Sequence, residues 1–544
     1  MRWQIKSTFQ TGTPTNQSQH IVKHLLNQRG FKTTSQQQEF LNPPEPSLKT
    51  ALTQLPDLDQ TQLNKAHARI SKAINSHQPI IIYGDYDCDG ISAATILWTA
   101  LHQSGAIVKP FIPHRVHHGY GLSSNGVTDA LSLFPNKQPL IITVDNGISA
   151  IKEAQKLKKM GLDLIITDHH TPPDILPPAH SIVHTTHLSG SGVAWLIASL
   201  FNPHPLTEFA ALGTVCDLLP LTGFNRSLVK HGLEHIKNTS NPGLLALYQA
   251  AGIADTAQIS TYHLGYILGP RINAVGRLSH ALDALRLFCT TNQTTAQSLA
   301  HHLSNLNYQR QDLTQDHATM AINHFKSLST LPNILVFHHP DFHEGIIGLV
   351  ASRLTDHFHR PSIIISSADN VLKASARSVP GINITQLISQ TSHLLTNYGG
   401  HHQAAGFSAS PDHLQDIHDS LTKLGDSLDP KLLVKTLDID LQLDPSLLSL
   451  DLFDQLSHLE PFGIANPQPI FASSLPVKSH SLIGKTMTHL KVQPEQPFTH
   501  LDVIGFNLAS RRHKLSNHSS FAFTLNKNHF RGKTSLQLLV KDIK

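Results

Sequence analysis

Short apolar runs alternate with amphipathic stretches through the first half of the chain. A helix over 66–74 leads into a strand-like run at 79–83, and an apolar-periodic helical stretch follows from 91 to about 101. Residues 106–112 form the next extended run, Leu140–Val144 repeats the strand signal, 150–160 has helical periodicity, and 162–167 again reads as strand. Strands alternating with helices predict βαβ units and a parallel sheet.

Further on, 294–325 contains neither Gly nor Pro, and Leu299, Leu303, Leu306 and Leu313 fall on one helical stripe. That pattern predicts a long helix connecting two domains. A second α/β unit follows, with strands at 334–337 and 362–365, a helix at 346–354, and Gly399-Gly400-His401-His402 closing another helical stretch. Past Lys431, short apolar runs separated by Pro, Gly and Asn predict a small β domain of barrel type. The start of the chain is polar and Gln-rich, with a break at Pro43, Pro44 and Pro46. The expected organisation is therefore an N-terminal leader segment at 1–60, a first α/β domain at 61–290, a connecting helix at 291–330, a second α/β domain at 331–428 and a β domain at 429–544.

Composition narrows the class without choosing the function. A chain of 544 residues is expected to hold two to four domains. No apolar run approaches the roughly 20 residues that span a bilayer, and the first residues lack the apolar stretch of a secretory signal, so a cytoplasmic location is expected. Cys88, Cys216 and Cys289 are far apart with no CxxC spacing, which argues against a disulfide framework or a cysteine zinc site. A net charge of +4 permits a nucleic-acid partner and does not demonstrate one. Most of the 39 histidines, such as the pair His301-His302, read as ordinary polar surface because no carboxylate stands at ligand spacing.

Chemistry is concentrated in loops predicted to follow strands. They are GDYDCDG (84–90), VDNG (144–147), TDHH (167–170) and VCD (215–217). Ligands of open parallel sheets bind beyond the carboxyl ends of the strands, near the point where strand order reverses, so such loops converge. Crowded carboxylates raise one another's pKa, and divalent cations remove that penalty; two can share carboxylates about 3.5–4 Å apart. Oxygen ligands with one or two imidazoles favour Mn²⁺ or Mg²⁺ over zinc, and such a pair activates water for phosphoryl chemistry. Asp87 and Asp89, two apart, can face one side of the loop; Asp85 is a third group there or a hydrogen-bond partner behind them. A single DxD is ordinarily an Asx turn or a helix cap. Four acidic loops in order within one α/β segment are what favour the metal reading.

The ordered set GDYDCDG, VDNGI, DHH and GTVCDLLP resembles the motifs of the DHH phosphoesterases. GPRINAVGRL (269–278), HEGIIGLVASRL (343–354), ASARS (374–378) and GGHHQAAGF (399–407) resemble the branch carrying a DHHA1 second domain. HRVHHGYGL (114–122) and LEPFGIANPQP (459–469) are similar to its single-strand-specific 5′→3′ DNA exonucleases, the latter in an OB-type C-terminal domain. The resemblance runs from about residue 25 onward. It implies an α/β protein with a parallel-sheet DHH domain, a long connecting helix, a second α/β (DHHA1) domain and a C-terminal OB-like β-barrel.

Carried over motif by motif, the resemblance implies metal ligands at Asp87, Asp89, Asp145, His169 and Asp217, with Asp85, Asp168 and His170 in catalytic support. His170 would polarise the scissile phosphate or assist the leaving oxygen. Ser375 and Arg377 match positions that hold a 5′-terminal phosphate, which suits the bidentate guanidinium fork. Arg115 and Arg277 are further phosphate contacts, and Gly399, Gly400 and His401 let the backbone approach the strand. The implied cofactors are two divalent ions, Mn²⁺ or Mg²⁺. The implied partners are single-stranded DNA, single-strand-binding protein and a RecQ-type helicase, with the protein a monomer. Cys88, His114, His184 and Phe342 depart from the residues common at their positions, and none removes an implied ligand. The rival readings are a small-substrate DHH phosphodiesterase, against which the segment after Lys431 argues, and a non-catalytic DNA-binding scaffold, against which the intact ligand set argues.

Overall fold

In the computed structural model the described residues are 1–9, 16–115, 117–368, 370–530 and 532–544. Residues 10–15 of the N-terminal segment and Val116 of the 114–122 motif lie outside them. The chain divides into two compact units, one made of Ile5–Ser304 with Asp438–Lys544 and the other of Met1–Gln4 with Asn305–Leu437. Among the described residues no helix is long and apolar enough to cross a membrane.

The larger unit contains the expected parallel sheet. Its five strands are β1 (Ile80–Tyr83), β2 (Val108–Phe111), β3 (Leu140–Val144), β4 (Leu164–Asp168) and β5 (Ser181–His184), in the order β2-β1-β3-β4-β5. Every pairing in it is parallel. β1, β3 and β4 are buried at every position, which is why they read as unbroken apolar runs rather than alternations. Strand order reverses beside β1, so the crevice beyond the carboxyl ends of β1 and β3 is the switch point. Three helices complete it: α1 (Cys88–Gln103), α2 (Gly190–Ala198) and α3 (Thr207–Cys216). All the residues of α2 are buried and most of α3 is, so neither shows a polar face in sequence.

That burial explains a correction. Val215-Cys216-Asp217 does not follow a strand; it ends helix α3, with Asp217 as its C-cap. A short apolar run such as 209–213 cannot be told from a strand by periodicity.

The same unit holds the β domain. Strands Phe471–Ile483, His489–Pro494, Asp502–Gly505, Lys533–Ile543 and His518–Phe530 neighbour one another in that order, and the first also pairs with the last, closing a barrel. Within 1–60 the chain forms helices Gln17–Gln28, Thr34–Leu41 and Leu48–Gln54. Ile21, Leu25, Leu26 and Phe40 are buried in one apolar cluster with barrel residues Phe471, Phe521 and Phe523. Burying each such side chain contributes about 1.5–3 kcal/mol, so the N-terminal helices and the barrel stabilise each other. Arg226, 1 % exposed, lies against the Phe40 ring at 3.8 Å and donates to the carbonyls of Phe40, Leu459, Glu460 and Pro461.

The second unit carries a five-stranded sheet ordered Asn397–Gly400, Ala404–Ala409, Val371–Arg377, Ser362–Ala368, Leu335–His338. Its last pair is parallel and the others are antiparallel. Helix Ile347–Phe358 packs on it, its Val350, Ala351 and Leu354 buried against Leu335 and Ile364. The predicted connecting helix is Gln293–Ser327, about 50 Å long from its 35 residues, and it contains the Ser304/Asn305 boundary. Gly399-Gly400 does not end a helix: it lies in the antiparallel strand Asn397–Gly400. The helical signal before it belongs to the short helix Ile384–Ser389.

Candidate metal centre

The DYDCD loop leaves β1 and turns directly into α1. Asp87 is the N-cap of that helix, its Oδ1 accepting from the backbone N–H of Asp89 at 2.9 Å and of Gly90 at 3.0 Å. The cap and the ligand reading of a DxD are therefore compatible in one residue: one carboxylate oxygen caps, and the group still faces the cluster. Asp89, in the first helical turn, is fixed from the opposite side. Its Oδ2 accepts from Gly190 N at 2.6 Å and its Oδ1 from Ser191 N at 3.0 Å, both at the N-terminus of α2, where backbone N–H groups favour an anion. Asp85 is buried and accepts from Tyr86 N at 2.8 Å.

Asp145 follows β3 with φ +63°, a left-handed conformation that Asp tolerates better than most residues. His169 sits at the end of β4 and gathers three loops: its Nε2 is 3.1 Å from Asp145 Oδ1, 3.5 Å from Asp217 Oδ2 and 4.0 Å from Asp89 Oδ2. Three overlapping sets have donor atoms within 4.8 Å of one another: Asp85, Asp87 and Asp145; Asp89, His169 and Asp217; and Asp145, His169 and His170. Asp168 has a different place. It is buried and accepts from Ile148 N at 2.8 Å, His169 N at 2.7 Å and His170 Nδ1 at 2.7 Å, so it orients the DHH turn from behind.

The electrostatics are those of a site built for cations. Burial, then mutual repulsion, pushes Asp85 and Asp217 up to about 8 and raises Asp87 and Asp145 as well. Asp145 Oδ1 is buried and, beyond the His169 Nε2 contact, has no hydrogen-bond partner among the described residues. His169 is lowered by burial, which keeps its imidazole neutral and able to donate a lone pair. Oxygen donors from five carboxylates with one neutral imidazole fit divalent ions of the Mn²⁺ and Mg²⁺ type.

Around the cluster, Arg115 lies 5.3 Å from the Tyr86 ring and is electrostatically coupled to Asp85, and Arg277 is coupled to Tyr86. The larger unit therefore brings Arg115 and Arg277 to the acidic loop. Ser375, Arg377, Gly399, Gly400 and His401 belong to the other unit. There Arg377 Nη1 donates to Ser375 Oγ at 3.3 Å and to Ala376 O at 2.8 Å. A Cβ on Gly348, in the first turn of Ile347–Phe358, would lie 3.0 Å from Ser375 Oγ and 3.2 Å from Arg377 Nη2. Burial lowers the Arg377 pKa, and the guanidinium stays charged. Gly399 and Gly400 lie on the exposed edge strand beside His401.

The departing residues have places of their own. Cys88 is buried, and its N–H donates to Asn273 Oδ1 at 2.7 Å. His114 N–H donates to His118 Nδ1, His184 Nε2 contacts the His170 carbonyl at 2.7 Å, and Phe342 stacks on His317 at 4.4 Å.

Several supporting residues are absent from the motif-based set. A Cβ on Gly190 would lie 2.4 Å from Asp145 Cβ, and one on Gly213 would lie 2.2 Å from Asp89 Oδ1. Tyr120 Oη is 2.7 Å from His170 Nε2. The run Ser189-Gly190-Ser191-Gly192 was the available signal, since consecutive small residues opening a helix mark close backbone approach.

Comparison with known proteins matches three domains of the chain. Family profiles match in sequence: the DHH family N-terminal domain at 79–215, the DHHA1 domain at 331–424 and the RecJ OB domain at 439–542. The single-stranded-DNA-specific exonuclease RecJ of Bacillus subtilis is 31% identical over 564 aligned residues, covering 100% of this chain and 70% of the relative. The crystal structure of Thermus thermophilus RecJ in complex with Mn²⁺ superposes with a TM-score of 0.82 at 29% identity, covering 100% of this chain and 79% of that one. Its Mg²⁺ complex gives a TM-score of 0.75 at 27% identity, covering 100% and 78%. The chain belongs to the RecJ family of DHH-domain proteins.

Proposed function

We propose that the protein is a single-stranded-DNA-specific exonuclease that works from the 5′ end, hydrolysing phosphodiester bonds to release 5′-mononucleotides in DNA repair and recombination. The observation that carries this reading is the convergence of Asp85, Asp87, Asp89, Asp145 and Asp217 with His169 at the switch point of a parallel sheet. The family relationship supports it, since the B. subtilis relative bears that specificity in its name.

In this reading Asp87, Asp89, Asp145, His169 and Asp217 hold two Mn²⁺ or Mg²⁺ ions, with Asp85 close by. Bound there, the ions supply an activated water and neutralise charge on the attacking and leaving oxygens. The chain's own groups do the rest. Gly190 N and Ser191 N aim Asp89. Asp168 holds His170 protonated, so the imidazolium stabilises charge on the scissile phosphate or assists the departing oxygen. Arg115 and Arg277 contact phosphates near the acidic loop. Ser375 and Arg377 hold the 5′-terminal phosphate, and Gly399, Gly400 and His401 let the strand lie close to the backbone. The barrel, of the OB type, holds the strand further along.

The domain limits proposed are 61–290 for the DHH domain, 291–330 for the connecting helix, 331–428 for DHHA1 and 429–544 for the barrel. A cytoplasmic monomer cooperating with single-strand-binding protein and a RecQ-type helicase completes the proposal, resting on the family resemblance. The experiment is a Mn²⁺-dependent time course on oligonucleotides labelled at either end, as single-stranded DNA, duplex DNA and RNA, with an Asp145→Ala control. Stepwise loss from the 5′ end of single-stranded DNA, abolished in the control, is expected. Cleavage confined to very short oligomers would move the chain to the small-substrate reading.

A further inference from the structure

The stretch just upstream of the Gly269–Leu278 helix is a π-helix, His263–Leu268, a form rare enough to draw notice and frequent at functional sites. Its inner side is anchored to the acidic end of α3. Leu264 and Leu268 are fully buried, and Cys216 Sγ donates to Leu264 O at 3.5 Å. Its outer side carries Tyr262 and Tyr266, 60% and 73% exposed, stacked with ring centroids 5.3 Å apart at 26°.

Two further exposed apolar residues are tied to the same place. Leu218 directly follows Asp217, is 67% exposed and takes φ +60°, a conformation costly for a branched side chain with nothing to pack on. Ile464 is 48% exposed, in the loop that leads into the barrel. Backbone hydrogen bonding joins these parts, from Leu221 N to Ile464 O at 2.8 Å, and Thr261 Oγ1 donates to Phe462 O at 2.6 Å. Single exposed apolar side chains are ordinary on protein surfaces. Here four of them lie on chain segments joined by these bonds, with a stacked aromatic pair on one and a left-handed residue next to a carboxylate of the metal centre on another.

We propose that Tyr262 and Tyr266 form a stacking platform for the nucleobases of the single strand, with Leu218 and Ile464 as its apolar borders. The proposal rests on the single-strand reading above and adds where the bases go. Tyrosine is chemically suited to this role. Every base has a π-face, so stacking gives affinity without sequence preference, as an exonuclease that moves along any sequence requires. The helix beginning at Gly269 continues directly to Arg277, about 16 Å along the axis from Tyr266, so one segment offers a base-binding start and a phosphate-binding end.

The test is fluorescence anisotropy with the full chain in EDTA, which prevents cleavage. The probes are a 5′-phosphorylated oligothymidylate and an abasic strand of equal length with the same phosphates. Tyr262→Ala/Tyr266→Ala, Tyr266→Ala alone and Tyr262→Phe/Tyr266→Phe are compared with the unaltered chain. The double alanine variant is expected to lose roughly ten-fold or more in affinity for the thymidylate strand. The single variant should lose part of that and the phenylalanine variant almost none, while all bind the abasic strand alike. Equal affinity of the alanine variants for thymidylate would overturn the platform, as would an equal loss on the abasic strand, which would point to a phosphate or protein-contact role. If the unaltered chain binds and degrades single strands while the tyrosines prove indifferent, only the platform falls. If the unaltered chain binds no single strand at all, the functional reading falls with it.

Discussion

His170 Nδ1 lies 2.7 Å from Asp168 Oδ1, and that contact sets the charge of the imidazole. Burial alone would lower the His170 pKa, but the hydrogen bond and charge of Asp168, joined by Asp217 and Asp85, outweigh it and raise it to about 9. Asp168 is itself held low: burial opposes, and the bonds from His170 and Ile148 N prevail. The sign follows from linkage. His170 contributes to folding stability fully below its unfolded pKa of about 6.5, and the contribution is lost as pH rises through about 9. In Asp168→Asn the largest raising interaction is gone while those of Asp217 and Asp85 remain, so the imidazole of the metal-free protein should titrate lower than in the unaltered chain. Carbon-13-labelled histidine spectra read this directly, and the alkaline limb of the rate profile should move to lower pH. An unchanged His170 titration in the variant would disprove the assignment.

The carboxylates predict the opposite partner for pH, namely the metal. Asp85 and Asp217, at about 8, hold protons in the folded metal-free chain that they release on unfolding, where carboxylates titrate near 3.8. Folded-state protonation therefore stabilises below about 4 and is lost as pH rises towards 8. Stability in EDTA should fall across that window, and Mn²⁺ should reverse the fall by replacing the protons. Thermal unfolding at pH 5 and pH 8, with EDTA or with Mn²⁺, checks this: the rise in Tm on adding Mn²⁺ should be clearly larger at pH 8. Asp145→Ala should abolish most of the gain. A metal-induced shift of the same size at both pH values would mean that the carboxylates are already ionised without the ion.

Much of the site was legible because its chemistry lies in contiguous loops. Asp85, Asp87 and Asp89 share one turn, and Asp145 and His169 follow strands whose apolar runs are unmistakable. The position of Asp217 was legible but its setting was not, because helix α3 is buried on most sides and its apolar run 209–213 is too short for periodicity to separate helix from strand. Gly190 and Gly213 carry no signal of this kind, because their function is the absence of a side chain against Asp145 and Asp89. The N-terminal helices were hidden by composition: Gln-rich faces surround a narrow stripe of Ile21, Val22, Leu25 and Leu26. Its partner, the barrel core, lies more than 400 residues away.

Gly190→Ala tests that close approach. The added Cβ would lie 2.4 Å from Asp145 Cβ, too near for either backbone to accommodate without moving. The expected cost in stability is about 1–3 kcal/mol, as for other overpacked interiors. Misplacing Asp145 and Asp89 together should weaken Mn²⁺ binding by at least about ten-fold, as loss of a supporting contact does at metal sites. Urea unfolding and calorimetric titration separate the two effects. A variant that binds Mn²⁺ normally would show that the α2 N-terminus does not position the ligands.

Arg226 offers the sharpest test of how the catalytic sheet and the barrel are joined. Its guanidinium is buried, and burial lowers its pKa to about 10, so it remains charged at neutral pH. It is compensated by carbonyls rather than by a carboxylate: Phe40, Leu459, Glu460 and Pro461 accept from it. Arg226→Met keeps the stem and removes every donor, leaving those carbonyls without this partner. Leaving a buried neutral acceptor without its donor costs about 1–3 kcal/mol. Chemical denaturation should register that loss, and limited proteolysis should open the chain near Phe40 and the Leu459–Pro461 segment first. Deleting 429–544 is a poorer probe, because Ile21, Leu25 and Phe40 would lose their apolar partners and the truncated chain would be compromised for reasons unrelated to DNA. A variant as stable as the unaltered chain would show that the bordering apolar cluster alone holds the barrel in place.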